Sequence, residues 1–229
     1  MRQRTWVLFC AMLGLIGLAS FTIGCGSSSG NTKIRLVNGS PDESSLDLLV
    51  DTKSAVTGVG YGAASSYVSI GSGSRQLEVE PSGSTTILLN RTDSIGSGSN
   101  LTLVTLNFSF NIGSVLLLDD NSAPTTSGDF KLRIVNASPG MGAQDVYVVT
   151  DGTNINSVSP TFSSLGFGSA SSYSTLVAGS YRVFFASPGS KNVSLDSGLL
   201  TLSDGQIRTL LALNNTVGGF ESTVLTDAK

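Results

Sequence analysis

The chain has 229 residues, of which 40% are hydrophobic and only 13% are charged. It is long enough for one large domain or two of ordinary size, and apolar enough to pack a core. It contains no histidine, and imidazole is the commonest activator of serine or cysteine nucleophiles and a frequent zinc ligand. Carboxylate pairs, Ser–Lys dyads and calcium sites remain as routes to chemistry. The net charge of −3, without a basic cluster, argues against nucleic-acid binding.

Residues 1–24 predict a secretory signal peptide. Arg2 and Arg4 precede an apolar run that ends in "FTIGC", which is the order of a basic region followed by a hydrophobic segment. The small residue directly before Cys25 makes the segment resemble that of a bacterial lipoprotein. The resemblance implies cleavage before Cys25, lipid attachment at that residue and a short tether at residues 25–32. An uncleaved membrane anchor and an ordinary secretory signal are the alternatives.

Removal of the signal leaves Cys25 as the only cysteine, because Cys10 lies inside the signal. No internal disulfide can then form, although export would permit one. Acyl chains on Cys25 would hold the protein at a membrane, with the first domain close to the lipid. Gly26 stands where an aspartate retains lipoproteins at the inner membrane, so the resemblance implies the outer membrane in an organism with two membranes. The mature chain is acidic, with 11 basic and 16 acidic residues.

The rest of the chain contains an internal repeat. "KIRLVNGSP" begins at Lys33 and "KLRIVNASP" begins at Lys131, 98 positions later. Further on, "GYGAASSYVSI" returns as "GFGSASSYSTL" after 106 positions, so the second copy carries eight additional residues between these blocks. A period near 100 residues is too long for a solenoid repeat and is the size of one β-sandwich domain. We therefore predict domains at residues 33–120 and 130–229, joined by a polar linker at residues 121–129.

Each copy is predicted to consist of strands. Apolar and polar residues alternate with a period of two in the first segments, and Gly, Pro, Asn and Ser mark the turns between them. In the first copy the strands are expected at residues 33–38, 46–51, 67–70, 77–79, 85–90, 101–110 and 114–118. About seven strands with frequent turns predict an all-β protein of two tandem immunoglobulin-like β-sandwich domains. No amphipathic helix is indicated after the signal.

Several repeated blocks resemble one known family. The "KIRLVNGSP" and "KLRIVNASP" openings, the aspartate in "LDLLV" and "QDVYV", and the later "SSY" block are similar to the bacterial domain-of-unknown-function 4397 family. Members often occur in tandem on exported or lipid-anchored proteins. The resemblance implies a β-sandwich fold and residence outside the cytoplasm, and it implies no particular activity.

One pair of charges recurs at the same places in both copies. Arg35 and Asp47 in the first copy correspond to Arg133 and Asp145 in the second. These residues could bind a ligand, or they could form cross-strand ion pairs. If residues 33–38 and 46–51 form a hairpin, Arg35 faces Asp47, and such pairs are common structural contacts in sheets. We expect the structural role.

The remaining candidates are serines, aromatic residues and acids. The repeated Ser-Pro has no histidine to serve as a base, so its Asn and Ser side chains are expected to hold a loop. Aromatic residues near the repeated SSY block could stack on a partner, but are expected to belong to the core. Acids in the loops and the linker could hold calcium, but without EF-hand spacing they are expected to be solvated. The aromatic residues are Tyr61, Tyr67, Phe167 and Tyr173, and the acids are Asp42, Glu43, Asp51, Asp119, Asp120, Asp129 and Asp151.

The sequence therefore predicts a non-enzymatic lipoprotein of the bacterial cell envelope. It would act as a binding or structural module that presents two β-sandwich domains to a protein or glycan partner. No catalytic residue, cofactor or metal is assigned, and nothing indicates the oligomeric state. The alternatives are a carboxylate-dependent glycan hydrolase, which needs two acids converging in a cleft, and a calcium-dependent adhesion module.

Overall fold

The computed structural model describes residues 32–228, which are almost entirely β-strand. Within that part of the chain the helical elements are two short 3₁₀ turns, Ser109–Asn111 and Ile155–Ser157. The first eight strands are β1 (Lys33–Val37), β2 (Ser45–Val50), β3 (Lys53–Gly60), β4 (Val68–Ser69), β5 (Gly73–Pro81), β6 (Leu89–Ile95), β7 (Asn100–Leu106) and β8 (Gly113–Leu118). The next ten are β9 (Asp129–Asn136), β10 (Gln144–Thr150), β11 (Phe162–Leu165), β12 (Ser169–Ala170), β13 (Ser174–Val177), β14 (Gly179–Ala186), β15 (Val193–Asp196), β16 (Leu200–Leu202), β17 (Ile207–Asn214) and β18 (Phe220–Ala228).

Strands β1–β8 form a first sandwich-like body of two sheets. Their orders are β4-β1-β7-β8 and β3-β2-β5-β6, and β1 runs parallel to β7. Alternate residues of the strands point between the two sheets, as a half-buried strand requires. Ile34 and Leu36 of β1 therefore meet Leu46 and Leu48 of β2 in a fully buried core.

Strands β9–β18 repeat this plan in a second body. One sheet has the order β12-β9-β17-β18, with β13 also paired to β9, and the other has β11-β10-β14-β15, with β16 paired to β14. β9 again runs parallel to β17. Phe130, Leu132, Phe185 and Leu210 belong to the buried core between these sheets.

The two bodies pack face to face through the sheets that contain β1 and β9, which we call the inner sheets. Val37 and Val104 of the first body and Leu211 and Leu213 of the second are fully or almost fully buried in one shared apolar cluster. On β1, Ile34 and Leu36 thus face their own core, whereas alternate residues face the other body. The molecule is a stack of four sheets, and its two inner sheets are covered on both faces.

Both bodies point in the same direction. Arg35 near the start of β1 contacts Asp227, which lies beside the start of β17 in the β17–β18 pair. At the other end of β1, Tyr61 lies beside Asn38 and contacts Asn214 at the end of β17. Strands β1, β7, β9 and β17 therefore all run the same way. We call the end where residue 32 enters the proximal end, and the opposite end the tip.

The prediction of an all-β protein with two sandwich-like bodies is confirmed. The immunoglobulin-like form of each sandwich stays a prediction. The hairpin of residues 33–38 with 46–51 is wrong, because β1 and β2 belong to different sheets. The strand expected at residues 85–90 begins only at Leu89, and β3 was not predicted, since its glycines and polar residues interrupt the apolar alternation.

The predicted signal peptide, the lipidation of Cys25 and almost all of the tether fall outside the described residues. Within residues 32–228, no helix has the length and apolar composition needed to cross a membrane. The predicted linker, residues 121–129, is held at the proximal end by Lys131, which donates to the carbonyl oxygen of Ser122 at 2.9 Å. Lys131 donates to Asp120 at 2.7 Å, and this hydrogen bond lowers the pKa of Asp120 to about 2.

Candidate interaction surface

Arg35 forms the first half of a buried polar network between the two bodies. Its guanidinium pairs with the carboxylate of Asp227, with 3% and 0% of the two side chains exposed. It also donates to the carbonyl oxygen of Thr226 and to the hydroxyl of Thr102, each at 2.8 Å. An arginine buried in this way needs several acceptors, because a desolvated charge with unmet hydrogen bonds is costly.

Arg133 forms the second half with equivalent partners. It donates to Asp119 at 2.6 Å, to the carbonyl oxygen of Leu118 at 3.2 Å and to the hydroxyl of Thr209 at 3.0 Å. Its side chain is 4% exposed and that of Asp119 is fully buried. Each arginine thus reaches across to an aspartate near the end of the last strand of the other body. Asp119 directly follows β8, and Asp227 is the penultimate residue of β18.

Two tyrosines complete the network. The hydroxyls of Tyr67 and Tyr173 each donate at 2.8 Å, to Asp119 and Asp227 respectively. The Tyr67 ring lies 4.7 Å from the Arg35 guanidinium, and the Tyr173 ring stands in the same relation to the arginine of its own body. Burial, followed by the nearby Asp119 charge, raises the pKa of Tyr67 to about 12. Burial also raises the pKa of Tyr173. The neutral phenols are therefore the stable form.

The predicted pairs Arg35–Asp47 and Arg133–Asp145 are wrong, because each arginine turns toward the other body. Asp47 instead accepts hydrogen bonds from the Gly58 amide at 2.7 Å and the Ser82 hydroxyl at 2.5 Å. These contacts tie β2 to its neighbours β3 and β5 in the sheet β3-β2-β5-β6, which we call the outer sheet of the first body. The outer sheet of the second body is the one that contains β10.

Asp145 has the equivalent role in the second body. It accepts from the amides of Ser164 and Gly189, both at 2.8 Å. Ser164 has a positive φ of 51°, and Gly58, its counterpart in the first body, has a φ of 71°. Both lie beside shifts in strand register, so the two repeated aspartates stabilise matching β-bulges.

The repeated asparagines organise loops at the tip, as the sequence predicts. The side chain of Asn38 donates to the carbonyl oxygens of Glu43 and Val59 and accepts from the Ser40 amide. Asn136 makes the equivalent contacts in the second body. The Ser-Pro segments are therefore turns held by an asparagine.

Each Ser-Pro loop packs against the loop that follows the neighbouring parallel strand. The Ser40 hydroxyl donates to the carbonyl oxygen of Asn107 at 2.7 Å, and Asp42 accepts from the Ser109 amide at 2.9 Å. In the second body, Ser138 donates to the Asn214 side chain at 2.5 Å. The loops of each body thus form one connected surface at the tip.

The tip also carries apolar side chains that the fold does not bury. Phe110 is 86% exposed and stacks on Phe108 with ring centroids 6.0 Å apart. Val217, in the corresponding loop of the second body, is 92% exposed. We call the loops at residues 38–45, 107–112, 137–143 and 214–220 the tip loops.

The aromatic residues near the SSY block do not form an ordinary sandwich core. Tyr67 and Tyr173 belong to the polar network described above. Tyr61 donates to the carbonyl oxygen of Asn214, and burial raises its pKa to about 12. Phe167 is 38% exposed. The three tyrosines therefore stabilise the contact between the bodies. The sequence reasoning did not anticipate this role.

The acids considered for calcium do not converge. Asp51 pairs with Arg75, and Asp151 pairs with Arg182. Asp119 is engaged in the buried network. Within residues 32–228, no group of three or more acids, histidines or cysteines is placed to hold a metal ion.

The eight-residue addition in the second body lies over its outer sheet. Ile155 packs with Tyr147 and Ala186 in a small buried cluster. Lys191 stands 4.3 Å from the Tyr147 ring and donates to the carbonyl oxygens of Ile155 and Val158. Beside it is an open depression of about 390 Å³, lined partly by these same residues. The addition therefore covers Tyr147 and Ala186 on the outer face of this sheet.

Sequence reasoning missed Thr102, Thr209 and Asp227, and it considered Asp119 only as a possible calcium ligand. A signal was present, because "TLVTLN" at residues 102–107 returns as "TLLALN" 107 positions later. Similarly, "LLD" at residues 117–119 corresponds to "LTD" 108 positions later. Extension of the repeat to these blocks would have marked both aspartates as equivalent.

Comparisons with known proteins identify a family. The family described as "Domain of unknown function (DUF4397)" matches residues 32–147 and 131–229, and the two matches overlap. Among curated proteins, no sequence matches the chain.

Solved structures show only distant similarity. One is a family 41 carbohydrate-binding module from streptococcal virulence factors, described in terms of α-glucan recognition, with 10% identity over 79% of this chain and 92% of that chain and a TM-score of 0.27. Another is a family 26 module from Eubacterium rectale in complex with maltoheptaose, with 11% identity over 86% of this chain and 98% of that chain and a TM-score of 0.27. A leucine-rich repeat protein from Bacteroides thetaiotaomicron has 15% identity over 79% of this chain and 25% of that chain and a TM-score of 0.21. These TM-scores are too low to indicate a common fold.

Proposed function

Because the chain belongs to the DUF4397 family, whose function is unknown, we propose a role from its own geometry. The protein is a non-enzymatic binding module of the bacterial cell envelope. A lipid on Cys25 anchors its proximal end, and the tip loops of both bodies bind a partner protein.

The observation that carries this proposal is the common direction of the two bodies. The loops after β1, β7, β9 and β17 all lie at the tip, and residue 32 enters at the opposite end. The seven residues of β7 alone span roughly 23 Å at the usual rise of a strand. An anchor before residue 32 would therefore leave both sets of tip loops facing away from the membrane.

The chemistry of the tip favours a protein partner. Phe110 and Val217 expose apolar surface, and its burial against a partner would be favourable in free energy. Asp42, Glu43 and Glu221 lie in or beside the tip loops, which contain no lysine or arginine. A matching partner surface would have an apolar pocket with a basic rim.

The test is a binding comparison between two variants of the lipidated protein. The double variant Phe110→Ser, Val217→Ser removes the exposed apolar side chains of the tip. Val177→Ser is the matched control, because Val177 is 68% exposed and pairs with Asp129 near the proximal end. We expect pull-downs from envelope extracts to lose a specific protein with the tip variant and retain it with the control.

Equal retention by both variants would reject the tip as the binding surface. Binding on a glycan array that the tip variant abolishes would replace the protein partner with a glycan.

The anchor requires a separate test. We expect mass spectrometry of the N-terminal peptide to find acyl chains on Cys25, and Cys25→Ser to release the protein into the soluble fraction. Cys10→Ser is the control and should leave attachment unchanged, because that residue is removed with the signal. An unmodified Cys25 in membrane-bound protein would contradict the proposal.

A further inference from the structure

We infer that the inner sheet of each body is self-complementary, so that it fits a second copy of the same body as well as it fits its partner within the chain. The surface concerned is the polar network and the shared apolar cluster. Its further partner is a second molecule of this chain.

The polar contacts show the required reciprocity. Arg35 reaches Asp227 while Arg133 reaches Asp119, which are equivalent pairs taken in opposite directions. The main-chain acceptors also correspond, because Thr226 and Leu118 each precede the aspartate of the pair. This is the pattern of an isologous interface, in which the same patch serves both partners around a two-fold axis.

The apolar contacts follow the same rule. The shared cluster contains four matched pairs of residues at repeat-equivalent positions, one from each body. These pairs are Val37 with Val135, Val104 with Leu211, Leu106 with Leu213 and Leu117 with Leu225. Contacts near the tip also correspond, because Leu213 lies by Gly62 while Leu106 lies by Gly168. A surface built from matched residues meets similar shape and polarity in either body.

Self-complementarity leads to a charge rule. A body must carry an arginine and an aspartate that match the aspartate and arginine of its partner. Exchange of the two charges within one body, by Arg35→Asp with Asp119→Arg, places like charges together inside the chain. The same exchange restores opposite charges when two such bodies from different chains pair with each other, and the unaltered second bodies also remain matched.

The test measures the molar mass of purified variants by light scattering. We expect the wild-type chain to be monomeric at low concentration and the double variant Arg35→Asp, Asp119→Arg to be a dimer. The fourfold variant that adds Arg133→Asp and Asp227→Arg should return to a monomer, because its two bodies match again. The control is the double variant Arg35→Asp, Asp227→Arg, which keeps opposite charges between the two bodies of one chain but places like charges together in both pairings between chains. It should stay a monomer. A folded double variant that stays monomeric or forms aggregates without a defined mass would overturn the inference.

A second measurement uses the wild-type chain, in case the double variant does not fold. The protein is unfolded in denaturant and refolded over a wide range of concentrations. If the inner sheets are self-complementary, a dimer fraction that grows with concentration should appear during refolding, because a second chain competes with the body in cis. Refolding to monomer at every concentration, together with an unfolded double variant, would also overturn the inference.

Discussion

At the scale of single residues, the structure explains why an arginine stands in the middle of an apolar strand in both copies. Asp119 accepts hydrogen bonds from Arg133, Tyr67 and Thr102, and Asp227 has the equivalent donors. A buried ion pair is tolerated when all its hydrogen bonds are made, and it is strongly destabilising when one partner is removed. The planar guanidinium also suits the site, since it donates in several directions and stacks on a tyrosine ring.

Replacement of Arg35 by leucine should therefore be severe. It removes the main charged partner of the buried Asp227 carboxylate, which keeps the hydrogen bonds from Tyr173 and Thr209 but has its nearest remaining arginine, Arg133, at 4.0 Å. We expect the free energy of unfolding to fall by about 3–5 kcal/mol, measured by urea denaturation.

The control is Arg75→Leu. Arg75 pairs with Asp51 on the surface, where 31% and 43% of the two side chains are exposed, and solvent screens such a pair, so the loss of stability should be much smaller. Equal losses in the two variants would show that the buried network has no special role in stability.

At the scale of elements, the hairpin between β2 and β3 contains a local conflict. Val50 pairs with Lys53, so Asp51 and Thr52 form a two-residue turn. Both have positive φ values, 51° and 64°. Such turns favour Asn-Gly or Asp-Gly, because a β-branched residue is strained in the left-handed region.

Thr52→Gly should remove this strain. We expect the free energy of unfolding to rise by about 0.5–1 kcal/mol, since the gain in the turn exceeds the added entropy of glycine in the unfolded chain. Chemical denaturation at equal m-values is the measurement. The reverse change Gly152→Thr, at a φ of 85°, should lower stability. A neutral or destabilising Thr52→Gly would mean that the turn carries no strain.

At the scale of the whole molecule, the shared cluster makes the two bodies depend on each other. Val104, Leu211 and Leu213 would be exposed if the bodies separated, and so would the buried network. Exposure of that surface is unfavourable, so the unfolding of one body should destabilise the other.

Calorimetry should therefore show a single unfolding transition for the wild-type protein. Val104→Asp places an uncompensated charge in the interface and should split the transition into two. Val79→Ala is the control, because Val79 is fully buried in the first core alone. That variant should melt at a lower temperature and still in one step. Two transitions in the wild-type protein would contradict the coupling.

Local sequence was sufficient for several features of the fold and the site. The alternation of Ile34 and Leu36 with Arg35 predicts a strand, because the side chains of a strand alternate between its faces. The asparagine of "VNGSP" predicts a loop held by its own side chain, since that contact spans only a few residues. The two copies of the motif predict two similar bodies. The assembly of the tip loops into one surface was not predictable, because it depends on which loops meet at one end.

The sequence by itself determined strand content, turn chemistry and duplication, since these follow from interactions between residues close in the chain. Tertiary structure alone decided the partners of Arg35 and Arg133 and the burial of both faces of the inner sheets. Arg35 and Asp227 are 192 positions apart, and no local pattern says which sheet packs against which. The acceptors available to a buried arginine are those that the packing of the two sheets brings next to it. Its partner is therefore a property of the packed molecule.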